Sequence, residues 1–145
     1  MIQLFTELQE KKNVRSNLSA LRASLKEATE EQKAQAIEFV RGHEDLVFGF
    51  LQEEDAKTRK NAALLLGDLA VQNALQPLWK AYTREQTLFV KSAYLEAMKA
   101  LHAEEILSQL KDRLAELEGE PVTEENRKHR EAELRALRAI LIQYE

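Results

Sequence analysis

The stretch "EDAKTRKNAALLLGDLAVQNALQPL", residues 54 to 78, decides the fold. Asp55 suits a helix N-cap, where its carboxylate meets free backbone N–H groups and the positive helix end. Arg59 follows one turn later, within reach of Asp55 or of a neighbouring loop. Ala62 and Ala63 are small enough to let two helices approach closely. Gly67 removes a side chain at what should be a crowded crossing, at a cost of about 1 kcal/mol in helix propensity. Leu66 and Leu69 share the face of Ala62 and are expected in the core. A helix built this way is designed for close neighbours on more than one side.

Outward from that stretch, the 3.6-residue period holds almost everywhere, and no run alternates at period two. Leu18, Leu21 and Leu25 mark one helix, with Asn13 or Ser16 as its cap. "TEEQ" at 29 to 32 has the form of a capping box. Ala36, Ile37 and Val40 form the next apolar face, and Gly42 is the expected stop. Helical segments follow at His43 to Gln52, Asp55 to Ala70, Ala74 to Tyr82, Gln86 to Leu101 and Glu104 to Leu117. Gly119 and Pro121 interrupt the pattern, Thr123 is the expected next cap, and Leu134, Leu137 and Leu141 mark a last helix.

The pattern repeats. At an offset of 31, Glu54 falls on Glu85, Lys60 on Lys91, Ala62 on Ala93 and Leu64 on Leu95. The same shift places Val47 on Leu78, Phe48 on Trp79 and Leu51 on Tyr82. Each unit is a short helix, a tight turn and a longer helix. A third unit over 103 to 142 is stretched by "ELEGEPV" and loses register.

These residues resemble a known pattern. Asp55, Arg59, Ala62, Ala63, Leu66, Gly67, Ala74 and Leu75 fit D-x-x-x-R-x-x-A-A-x-x-L-G-x-x-x-x-x-x-A-L, which is similar to a HEAT-like repeat of the PBS-lyase type. The second unit departs from it, with Gln86, Val90 and Met98 at the Asp, Arg and Gly positions. The resemblance implies an all-α fold, a short right-handed superhelix of helical hairpins. HEAT-like repeats would span 43–118, flanking helices 1–42 and a capping helix 119–145. It also implies that Arg59 ties neighbouring turns together and that second helices line a concave face. Separately, "RKNAALLLGDLA", "EQTLFVKSAYLEAMKAL" and "EENRKHREAELRALRAIL" together resemble the N-terminal helical region of a bacterial group of RNA-methylase-like, S-adenosylmethionine-dependent methyltransferases. That resemblance implies an accessory part of a longer protein. The four glycines are scattered and form no cofactor loop of their own.

Composition narrows the function. With 145 residues, one domain is expected, able to bury roughly 68–70% of its unfolded surface without metal or disulfide. There is no cysteine, which excludes disulfides and thiolate catalysis. The net charge of -4 argues against nucleic-acid binding over the whole surface. No secretory signal or apolar span of membrane length occurs, so a cytoplasmic protein without membrane contact is expected.

Chemistry is sparse. His43, His102 and His129 are far apart and have no metal-ligand spacing. No P-loop or nucleophile elbow occurs. Glu53–Glu54, Glu104–Glu105 and Glu124–Glu125 sit near helix starts and read as solvated caps. Trp79, Tyr82, Phe89 and Tyr94 read as packing between repeats. No cofactor, metal or catalytic residue is expected. The lyase or isomerase role of some PBS-type relatives is the weakest reading, because no set of polar groups converges.

The candidate binding face is the strip Lys57, Lys60, Leu64, Lys91, Leu95 and Lys99 on the second helices. Lys60 and Lys91 should stand about 10 Å apart, the usual helix spacing. Arg127, Arg135 and Arg138 share one side of the last helix. A protein partner or an adjoining domain is the first expectation for this face, and RNA is the alternative.

Overall fold

In the computed structural model, which describes residues 1–145, Asp55 does cap a helix. Its carboxylate accepts from the Thr58 backbone N–H at 2.9 Å and from the Thr58 hydroxyl at 2.8 Å. That helix, α5 (Ala56–Asp68), is one of nine, and the chain contains no strand. Before it come α1 (Ile2–Gln9), α2 (Val14–Leu25), α3 (Glu30–Gly42) and α4 (Glu44–Gly49). After it come α6 (Leu75–Arg84), α7 (Leu88–Ala100), α8 (Leu107–Gly119) and α9 (Arg127–Leu141). Short 3-10 turns at Phe50–Gln52, Gln72–Ala74, Glu104–Ile106 and Ile142–Tyr144 tighten four junctions. Pro77 falls in the first turn of α6, where a missing N–H leaves no intrahelical bond unmade.

The helix ends follow the sequence with two differences. Thr29 and Gln32 close the capping box in both directions. Asn13 precedes α2 but lies in the left-handed region, at φ 46°, and makes no side-chain cap bond. Asn17 anchors that turn instead, donating to the Lys12 carbonyl at 2.8 Å. Thr123 exchanges a reciprocal pair of bonds with Asn126, and α9 starts one residue after Asn126.

The end of α5 carries a left-handed residue that is not glycine. Ala70 has φ 52°. Its N–H donates to the Gly67 carbonyl at 3.0 Å, and the Val71 N–H donates to the Leu66 carbonyl at 3.0 Å. This is the Schellman arrangement, sealed by the buried pair Leu66 and Val71.

Packing joins the longer helices in a row. α2 lies against α5, α5 most extensively against α7, and α7 against α9. α1 covers α2, α6 packs on α7, and α8 packs on α9. Gly67 sits at the α5–α7 crossing, where an added Cβ would lie 2.9 Å from the Ala97 Cα. Ala62 and Ala63 are fully enclosed, as are Leu66 and, nearly, Leu69. The buried apolar residues form one contiguous cluster from Leu8 to Ile140. Residues related by the offset of 31 share their environment: Val47 and Leu78, Leu51 and Tyr82, Ala62 and Ala93 are all buried, and Phe48 and Trp79 are both half-buried.

Candidate functional site

Charged groups gather at two places inside this frame. The first joins the turn before α5 to the turn before α7. Arg59 donates from Nε and Nη2 to the two carboxylate oxygens of Glu85, at 2.8 and 2.9 Å. Its Nη1 donates to the carbonyls of Glu53 and Glu54, both at 2.8 Å. Arg59 therefore reaches the neighbouring turn and not Asp55. The Tyr94 hydroxyl lies 3.2 Å from Glu85 and 3.3 Å from the Leu51 carbonyl. Burial pushes the Glu85 carboxyl up, but the bonds from Arg59 and the Thr87 N–H outweigh it, so its pKa falls below the ordinary value. Burial and the adjacent Glu85 push the Tyr94 phenol up. An open cleft of about 760 Å³ lies over this tie, between the Phe50–Gln52 turn and α6.

The second cluster centres on Glu133 of α9, only 2% exposed. The Tyr82 hydroxyl donates to its Oε2 in a short bond. Arg113 reaches the same oxygen from Nε at 3.1 Å and Nη2 at 3.0 Å. Lys91 Nζ stands 3.3 Å from Oε1, and His129 Nε2 3.5 Å from it. One carboxylate thus holds α6, α7 and α8 to α9. Burial raises the Glu133 pKa, and the bond from Tyr82 and the charges of Lys91 and Arg113 overcome it, for a net lowering. Burial, reinforced by the bond to Glu133, raises the pKa of Tyr82. No buried side-chain polar atom in the protein lacks a partner. The buried polar atoms of both clusters are engaged within the fold.

The strip expected from the sequence divides in two. Lys57 and Lys99 are exposed, and Lys60 and Leu64 are half-buried with an open side. Lys91 does not stand beside Lys60 as a second free charge, because it turns inward to Glu133 and its side chain is 15% exposed. Leu95 is 1% exposed and forms the floor of a groove between α7 and α9. That groove, about 350 Å³, is walled by Ser92, Glu96 and Lys99 on one side and by Ala132, Arg135 and Ala136 on the other. Arg127, Arg135 and Arg138 are all exposed; Arg127 faces Glu131 at 3.8 Å, and Arg138 faces Glu118 at 3.7 Å. The cations along the row alternate with Asp68, which pairs with Arg22 at 2.9 Å, and with Glu96.

The remaining candidates fall into ordinary roles. His43 stacks on Phe39, with Nδ1 2.8 Å from the Phe39 carbonyl and Nε2 2.7 Å from Gln9 Nε2. His102 meets Gln72 through its backbone. The side chains of Glu53, Glu54, Glu104, Glu105, Glu124 and Glu125 are exposed. Tyr82 and Tyr94 are buried and Trp79 is half-buried, as packing residues should be. Phe89 is the exception: it lies in the first turn of α7 on the solvent side and is exposed.

Sequence reasoning missed Glu133 and Arg113. A signal for Glu133 existed: it lies four residues before Leu137 and seven before Ile140, on the apolar face of α9. A carboxylate on that face needs a buried cation. Comparison with family models, with curated proteins and with solved structures finds no match to this chain.

Proposed function

We propose that the chain is a short right-handed solenoid of HEAT-like hairpins working as a non-catalytic protein-interaction module, an accessory part of a larger protein. The row α2–α5–α7–α9 and the Arg59 tie between successive turns support the HEAT-like reading. The observation that carries the function is the mixed character of the α7–α9 groove. Arg135 faces Glu96 and Lys99 across a floor of Leu95 and small alanine side chains. A phosphate backbone favours a continuous run of cations. A polypeptide segment suits apolar patches rimmed by both charges, where small groups admit a helix or strand and the rim fixes register.

The test uses the folded chain and a displayed peptide library. Selected peptides should bind the parent and lose at least tenfold in affinity to Lys99→Glu/Arg135→Glu, with the unfolding midpoint unchanged. Titration with tRNA fragments at low and moderate salt runs in parallel. Tight RNA binding that weakens steeply with salt, without peptide selection, overturns this reading in favour of an RNA-binding accessory domain, the role implied by the methyltransferase resemblance.

A further inference from the structure

The two ends of the helix row are unlike each other, and their chemistry matches. At the first end, α1 and α3 meet through the stacked rings of Phe5 and Phe39, 4.5 Å apart. Between them opens a cleft of about 550 Å³, lined by Ile2, Phe5, Ala34 and Phe39 with Glu31 and Glu38 beside them, and by no cation. Ile2 is 74% exposed there. At the other end, the outer side of α9 carries Lys128, Arg135 and Arg138, with Glu131 among them turned to Arg127 at 3.8 Å, and leads to Ile142, 64% exposed. Neither Lys128 nor Arg135 forms an ion pair, and Arg138 faces only an exposed glutamate at 3.7 Å. So one end is apolar and acidic, and the other is apolar with cations in excess over Glu118 and Glu131.

We infer that the α1–α3 cleft is a docking surface for the α9 end of a second copy of this chain. Ile142 would enter the cleft beside Ile2 and Phe5. Arg138 and Arg135, one and two turns back and about 4.5 Å apart along α9, would reach Glu38 and Glu31, about 10.5 Å apart along α3, with their long side chains splayed to span the difference. The two surfaces lie at opposite ends of the row, so one chain cannot satisfy both with itself. The contact is heterologous: each copy added leaves one cleft and one α9 end free, and association continues head to tail. Apolar contact supplies attraction, and the complementary charges select the unlike end over the like one.

Sedimentation velocity of the whole chain tests this. The mean mass of the parent should rise at least twofold between about 10 and 300 µM at low salt, and fall back as salt shortens the Debye length to about 3 Å. Glu31→Lys/Glu38→Lys should stay monomeric, and so should Arg138→Glu/Ile142→Asp. All four positions are exposed, so folding is retained and circular dichroism checks it. An equimolar mixture of the two variants should give a species of twice the monomer mass, because each keeps the end the other lacks. A parent that stays monomeric throughout overturns the proposal. So does association of the α9 variant by itself, which would place the contact elsewhere.

Discussion

The Arg59–Glu85 tie and the Glu133 cluster look alike in composition and differ in how they are built. Both hold a carboxylate away from water with a guanidinium and a phenol. The first is local to the repeat: its arginine bridges one turn to the equivalent position of the next, and two of its acceptors are main-chain carbonyls. The second draws side chains from α6, α7, α8 and α9 across 51 residues of sequence. A tie made with main-chain groups is set by the turn itself. A tie made only of side chains exists only when four helices have already docked. The first therefore joins neighbours, and the second closes the end of the row.

Removing the centre of the second cluster should have the largest effect. Glu133→Ala leaves Lys91, Arg113 and Tyr82 without their shared acceptor, and breaking a buried pair in this way costs about 3–5 kcal/mol. Urea unfolding should show that loss, with amide exchange fastest in α9. Arg59→Ala should cost less, about 1–3 kcal/mol, since Glu85 retains the Thr87 N–H and the Tyr94 hydroxyl. Equal losses in the two variants would erase the distinction between a closing cluster and a local tie.

Acid acts on the two in the same direction. Glu85 and Glu133 both have folded pKa values below their unfolded values, which lie near about 4.3. Their contribution is therefore complete above that pH and is lost as pH falls through the folded values. Stability should hold from neutral pH to about pH 5 and drop below about pH 4. Arg59→Ala and Glu133→Ala should each have a shallower acid limb than the parent. A limb of parental steepness in Glu133→Ala would mean that this carboxylate contributes nothing to acid unfolding.

The smallest effect is a gain. Ala70 occupies the left-handed position that favours glycine at a Schellman end. Ala70→Gly should raise stability by about 0.5–1 kcal/mol, read as a higher urea midpoint with unchanged slope. A loss would show that the Ala70 methyl group has a packing role.

Much of the fold was legible because it is periodic. The caps at Thr29 and Asp55, the small residues Ala62, Ala63 and Gly67, and the leucine faces all state local requirements that one sequence window contains. Arg59 was legible in part: its place left Asp55 or a neighbouring loop open, and the structure gives the loop, through Glu85. The candidate strip was only partly legible. The offset of 31 placed Lys91 beside Lys60 in sequence logic, yet α9 brings Glu133 onto Lys91 and turns it inward. Leu95 is covered for a related reason: α9 packs on α7, whereas Leu64 on α5 keeps an open side. A repeat pattern describes the neighbours within the repeat and is silent about a helix that departs from it.

The most direct test of the tie account is a double-mutant cycle on Arg59 and Glu85, measured by urea unfolding at pH 7. Arg59→Ala, Glu85→Ala and the double variant close the cycle. The expected coupling is favourable and about 0.5–3 kcal/mol, the range for residues in direct contact within one salt-bridge network. A coupling of zero within error would contradict the claim that this pair holds successive turns together.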